Sequence, residues 1–186
     1  MGHGGNIIAE LTADHREVEE YFARLRALPV GDKQRRKVTD EVTIELVRHS
    51  VAEEMYLYPA VREHVAGGDA LADKEIQEHA EMERDLKELE DVEVDDPRFD
   101  QLTRKLIVDV TEHLREEEQQ LFPALAQACT PDELFALGEK VRRAKHVAPT
   151  RPHPSAPDTP PANKILGPGA GLVDRVRDFV TGRGRS

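Results

Sequence analysis

His49-Ser-Val-Ala-Glu53-Glu54-Met-Tyr-Leu57-Tyr58-Pro59 and His113-Leu-Arg-Glu-Glu117-Glu118-Gln-Gln-Leu121-Phe122-Pro123 are two copies of one pattern, H-x-x-x-E-E-x-x-L-aromatic-P. A histidine and a glutamate four residues apart share a helix face, about 6 Å apart along the axis. Two such faces turned toward each other would bring two imidazoles and two carboxylates to one spot. The repeat extends upstream. His15 lies 34 residues before His49, His79 lies 34 before His113, and Glu19 and Glu83 follow them at +4. Of the eight histidines only these four carry Glu at +4. Residues 1–128 therefore read as two copies of one helix pair, and pseudo-twofold packing would gather four His/Glu faces around one centre.

The flanking sequence supports long helices. Asn6 is a suitable N-cap for a helix over 6–28, where Ile8, Leu11, His15, Val18, Phe22 and Leu25 form one stripe. Pro29-Val-Gly-Asp32 breaks it. A second helix runs from Asp32 to about residue 65, with Val38, Val42, Leu46 or Glu45, His49, Glu53 and Tyr56 inward, and Pro59 kinks it or starts a new segment. A third covers about 70–90, with Ile76, His79, Met82, Leu86 and Leu89, and a fourth about 98–127. Thr130-Pro131-Asp-Glu133 is a strong helix start, so a fifth helix over about 131–145 packs Leu134, Leu137 and Val141. The expected fold is all-α: an antiparallel four-helix bundle with an additional C-terminal helix and a Pro-rich tail.

Residues 1–146 then form the bundle plus packing helix, 147–163 a Pro-rich linker, and 164–186 a short amphipathic basic tail. That tail carries Leu172, Val173, Val176, Phe179 and Val180. Residues 147–186 hold six Lys/Arg against three Asp/Glu, while the whole chain has a net charge of −11. The tail could dock on the acidic body, bind a protein partner, or stay disordered. The overall charge argues against nucleic acid as the main partner. Cys129 is the only cysteine, so no intrachain disulfide and no thiolate cluster forms. No stretch approaches 18 apolar residues, so no membrane span is expected, and the location expected is the cytoplasm.

A histidine in the middle of every apolar stripe needs a reason. Burying four imidazoles and their glutamates without partners would cost several kcal/mol. A metal centre makes each a ligand, and imidazole with bridging carboxylate suits iron or manganese, with zinc possible. Ferritin-like bundles use Glu-x-x-His. Here the −3 positions are Thr12, Leu46, Ile76 and Val110, so that pattern is absent.

The order His15, His49-x3-Glu53, His79, His113-x3-Glu117 over four helices resembles the hemerythrin-like (HHE cation-binding) domain, across about residues 7–128. The resemblance implies a four-helix bundle holding two non-heme iron ions, carboxylate-bridged and with a possible oxo bridge. It makes His15, His49, His79 and His113 nitrogen ligands and Glu53 and Glu117 the bridging carboxylates. Oxygen-carrying hemerythrins have a second histidine four residues on in the third helix, where this chain has Glu83. Glu83 and Glu19 are further candidates, as ligands or as hydrogen-bond partners of imidazole, with Glu83 also a general acid/base. Tyr58 and Tyr56 lie one turn beyond Glu53, within reach of an iron site, although packing also explains that aromatic position. Glu54 and Glu118 are expected to be solvated or to hydrogen-bond ligands. The Pro-rich linker and basic segment resemble actinobacterial hemerythrin-like proteins, a group associated with peroxide, oxygen or nitric oxide handling. The resemblance thus points to a catalase-like activity on hydrogen peroxide, or to an oxygen, nitric oxide or iron sensor or store. The remaining reading is a metal-free helical interaction protein.

Overall fold

The computed structural model describes residues 4–156, 159–160, 162–181 and 183. The described residues are helical, with no strand. Helix α1 spans Ile7–Ala27, α2 Lys33–Ala52, α3 Tyr58–His64, α4 Gly68–Asp91, α5 Pro97–Glu116, α6 Phe122–Ala128, α7 Pro131–Val147 and α8 Ala162–Thr181. Four antiparallel rods make the bundle: α1, α2 continued by α3, α4, and α5 continued by α6.

The helix starts follow from their caps. Asn6, Asp32 and Asp96 accept hydrogen bonds from the amides of Ala9, Gln34 and Arg98. Thr130 and Glu133 form the full reciprocal cap expected for α7. Gly67 turns the chain into α4 with φ of 75°, a conformation that glycine adopts without steric cost. Gly138 lets α7 lie against the N-terminal segment: a Cβ there would meet the Gly5 carbonyl oxygen at 2.6 Å.

The second and fourth rods are not continuous α-helices. Glu53–Leu57 and Glu117–Leu121 are π-helical turns. The amides of Tyr58 and Phe122 bond to the carbonyls of Glu53 and Glu117, five residues back. Pro59 and Pro123 follow at once; proline has no N–H and its ring crowds the carbonyl four residues earlier. The wider turn inserts one residue and shifts the inward face. Hence Leu57 and Tyr58 are fully buried, while Tyr56, expected inward, is only half-buried. Likewise Ile7 rather than Ile8 reaches the core of α1.

The interior is layered. One apolar cluster holds Ile7, Leu11, Leu57, Val61, Leu121, Leu125, Leu134, Val141 and the buried Cys129. The other holds Val18, Phe22, Leu25, Val42, Leu86, Leu89, Phe99, Leu106 and Val110. On α1 the boundary falls between Leu11 and Val18, where His15 sits. A buried polar layer therefore lies between two apolar ones.

Beyond the bundle, α7 packs on α1 and α2, and α8 begins within the expected linker and runs through most of the expected tail. The linker and α8 dock on the body. Arg151 pairs with Glu90 at 3.1 Å and Asp178 at 2.7 Å, and Arg183 pairs with Asp40 at 3.2 Å and Glu90 at 3.3 Å. Leu172 and Val173, part of the amphipathic pattern read in the tail, are exposed, whereas Asp174 and Asp178 are buried against Thr150 and Arg151. Hydrogen bonds and an ion pair of Asp174 and Asp178 hold this face of α8. The side chains of Val176, Phe179 and Val180, and residue His3, lie outside the described residues. Among the described residues no helix is long and apolar enough to cross a membrane.

Candidate metal centre

The structure brings His15, His49, His79, His113, Glu53 and Glu117 into the polar layer, all buried. Every imidazole is held from its outer side. The Nδ1–H of His15 donates to Glu118 at 2.8 Å, that of His49 to Asp14 at 3.3 Å, that of His79 to Glu54 at 3.2 Å, and that of His113 to Glu78 at 3.0 Å. An imidazole that donates from Nδ1 presents a lone pair at Nε2, and a carboxylate behind it fixes the ring and raises its basicity. The Nε2 atoms face the glutamates. His49 Nε2 lies 3.1 Å and His79 Nε2 3.5 Å from Glu53 Oε2. His15 Nε2 lies 3.4 Å and His113 Nε2 3.8 Å from Glu117 Oε2. Each glutamate thus touches one histidine from each half of the repeat, which is the geometry of a carboxylate shared between two positions.

These partners follow the 64-residue repeat. Glu118 holds His15 and Glu54 holds His79, so the second glutamate of each motif serves the other copy. Asp14 and Glu78 each directly precede a motif histidine and hold the histidine 35 residues on. Sequence reading places Glu54 and Glu118 correctly as partners of imidazole or solvent. It misses Asp14, Glu78 and Glu75. Glu75 is four residues before His79, on the same helix face, a signal as plain as the +4 spacing. Its Oε2 lies 2.9 Å from His113 Nδ1.

The other sequence candidates lie apart. Glu19 is half-exposed and pairs with Arg16 on the outer surface of α1. Glu83 is one turn past His79, in a groove also lined by Glu54, Pro149 and His153, where its Oε1 accepts the His153 amide at 2.7 Å. The linker has taken that carboxylate, and His153 is half-buried with Asp174 at 2.9 Å. Tyr58 does reach the centre: its hydroxyl lies 3.0 Å from His79 Nε2 and 3.3 Å from Glu117 Oε1. Phe122, its repeat mate, stacks on His15 with centroids 5.4 Å apart.

Charge is divided unevenly. Burial and the neighbouring Glu117 push the Glu53 carboxyl well above the usual range. Glu117 goes the other way: burial raises it, but His113, His15 and His49 outweigh that and hold it low. Burial also works against the charged form of His113, yet Glu117, Glu75 and Glu78 push it up to about 10. Burial, then the charge of His113, sets His79 well below its ordinary value. Burial pushes the Tyr58 phenol far up, so it keeps its proton. Two buried carboxylates beside each other cannot both ionise cheaply unless cations balance them.

A metal pair fits these residues. Several deeply buried ligand atoms make no hydrogen bond: Nε2 of His15 and His49, both oxygens of Glu53, and Oε2 of Glu117. Orphaned buried polar atoms are costly, and here they face a common point. The ligand atoms of His15, His49, Glu53 and Glu117 lie within 4.8 Å of one another, as do those of Glu53, His79 and His113. Both groups could hold a metal ion, and they share Glu53.

An antiparallel four-helix bundle with such paired half-sites defines a class, the hemerythrin-type cation-binding bundles. The family model of the hemerythrin HHE cation binding domain matches residues 6–125, and the chain belongs to that family. It is similar to an uncharacterised hemerythrin-like protein of Schizosaccharomyces pombe, 28% identical over 90% of this chain and 82% of that one. It also resembles the crystal structure of a hemerythrin HHE cation binding domain-containing protein from Mycobacterium kansasii. There the TM-score is 0.66 and the identity 25%, over 76% of this chain and 85% of that one. A DNA nickase of Nostoc is 28% identical over 75% of this chain but only 39% of the nickase.

Proposed function

We propose that His15, His49, His79, His113, Glu53 and Glu117 hold two iron ions, and that the protein disproportionates hydrogen peroxide in oxidative or nitrosative stress. The observation carrying this reading is the outward anchoring of all four imidazoles while four Nε2 atoms and two carboxylates converge. Iron is preferred to manganese or zinc because the centre combines borderline nitrogen with hard oxygen donors and the reaction needs a redox change. A bound iron pair supplies the two-electron exchange by which one peroxide becomes two waters and another becomes dioxygen.

The chain supplies the rest. Glu53 and Glu117 would be shared by the two ions, and Asp14, Glu54, Glu78 and Glu118 hold the four rings from behind. Tyr58, rather than Glu83, is the proton-bearing group against the centre, keeping its proton at Oη between His79 and Glu117. An open groove of about 470 Å³ between α4 and α5, lined by Lys74, Glu78, Glu112 and Glu116, runs to His113. Its polar walls suit peroxide and water. In the cytoplasm, Cys129 would stay reduced and peroxide would be the ligand met.

Iron analysis and oxygen release test the reading together. Purified protein should contain about two irons per chain, show near-ultraviolet bands that change with azide, and evolve oxygen from peroxide. Iron-loaded protein that evolves none, yet binds nitric oxide or oxygen stably, would replace turnover with sensing or storage. The docked α8 would then be the element that passes the signal to a partner. Protein that folds without metal and cannot be loaded would overturn the metal centre.

A further inference from the structure

We propose that Lys145, on a helix outside the family domain, is a positioning residue: acting through Asp14, it makes His49 a weaker nitrogen donor than His113, its mate in the repeat. This rests on the metal-centre reading above and deepens it.

The family model ends at residue 125, and α7 begins only at Pro131. That helix packs on α1, α2 and the first π-turn. From it Lys145, itself buried, reaches inward to Asp14 and to Glu45, the latter at 3.0 Å. Its ammonium takes Asp14 Oδ1, while Oδ2 accepts the Nδ1–H of His49 at 3.3 Å. One fully buried carboxylate is thus divided between a cation and a ring.

A carboxylate behind an imidazole strengthens the ring as a ligand through the negative charge it offers to Nδ1–H. A cation on its other oxygen draws that charge away, and does so most where water cannot screen it. The repeat supplies the contrast. Glu78 stands behind His113 as Asp14 stands behind His49. Lys74 also pairs with Glu78, but from an exposed position, so solvent screens it. Glu75 adds a second carboxylate to His113 at 2.9 Å, where the equivalent residue on α1 is Leu11. His113 therefore keeps the pull of its carboxylates, and His49 shares its own with Lys145.

The test is proton–nitrogen NMR of the metal-free, full-length chain with labelled histidine, followed by anaerobic ferrous iron titration. The His49 ring proton is assigned by its loss in His49→Gln. Lys145→Met paired with Glu45→Gln removes the cation yet keeps the local net charge, so charge balance alone predicts no change at His49. The inference predicts a downfield shift of the His49 Nδ1 proton, as Asp14 turns its whole charge on the ring. In the titration one of the two ferrous steps should tighten roughly threefold, a fraction of what loss of an outer partner costs. Glu45→Gln alone leaves Lys145 undivided on Asp14, so the same proton should move upfield. This milder variant decides the matter if the paired one does not fold. A His49 proton that stays in place or moves the opposite way in either folded variant shows that Lys145 only balances buried charge, and the inference fails. It fails also if neither ferrous step tightens in the paired variant. Wild-type protein that takes up no iron would overturn the metal-centre reading, while the proton shifts still decide whether Lys145 acts on His49.

Discussion

The half of the bundle made by α1 and α2 and the half made by α4 and α5 carry the same motif but not the same surroundings. In both halves a carboxylate one residue before the upstream histidine holds the downstream one, and the second glutamate of each motif crosses to the other copy. The differences sit around this shared frame. Tyr58 and Glu75 line the His79/His113 side, where Phe122 and Leu11 occupy the equivalent places on the His15/His49 side. Behind the rings, Asp14 is backed by Lys145 of α7, a lysine 8% exposed that also pairs with Glu45 at 3.0 Å. Glu78 is backed by Lys74, which is 46% exposed. The comparison separates two requirements. The repeated groups gather imidazoles and carboxylates that could hold a metal, and the unrepeated groups give the two sides different surroundings.

The largest effects should come from the repeated groups. His49→Ala or His113→Ala should lower peroxide turnover on the order of 100-fold or more, since loss of a ligand costs at least what loss of its outer partner does. Oxygen release and iron per chain check this; a variant that keeps both would break the equivalence of the halves. Next comes Lys145→Met, which strands Asp14 and Glu45 as buried charges and should cost about 3–5 kcal/mol in denaturant unfolding. Lys74→Met should cost no more than ~1 kcal/mol, because its pair is largely solvated. Equal losses would show that burial of the backing cation is not what distinguishes the halves. Tyr58→Phe makes the aromatic positions alike and should cost about 1–3 kcal/mol for the hydrogen-bonding groups left at His79 and Glu117. Unchanged stability would reduce Tyr58 to packing.

A different kind of comparison is the pH slope of the metal-free protein. His113 is raised from 6.5 to about 10, so its contribution is fully present below about pH 6.5 and is lost as pH rises through about 10. Lys145, raised by Glu45 and Asp14 against the opposing effect of burial, acts with the same sign above the ordinary lysine range. Thermal melts between pH 6 and 10 should show falling stability, and His113→Gln should flatten the slope.

Much of this architecture is legible in the amino-acid sequence. The doubled motif specifies the bundle, four histidines and two glutamates, because helical periodicity fixes which residues share a face. The outer carboxylates are harder to see. Asp14 and Glu78 act on a neighbouring helix, and their partners depend on helix rotation rather than on spacing within one chain segment. Glu75 lies within reach of the same periodicity rule applied backwards from His79. The groove side of α4 misleads a sequence reading, since Glu83 is engaged by a linker amide that no local pattern announces. Pro59 and Pro123 signal an interruption, but a kink, a fresh helix and a π-turn are all compatible with proline there.

Those π-turns have a consequence for how such a domain can change. Each inserts one residue between the buried glutamate, Glu53 or Glu117, and the distal helix, so the two ends of a rod are out of phase by about 100°. The turn works as a coupling that lets the inner segment aim its ligands while the outer segment aims Leu57, Val61, Leu121 and Leu125 at a separate apolar layer. Deleting Met55 alone would restore an even helix and swing every side chain beyond it by about one hundred degrees. Substitutions in the distal segments, by contrast, can accumulate while His49, Glu53, His113 and Glu117 keep their bearing.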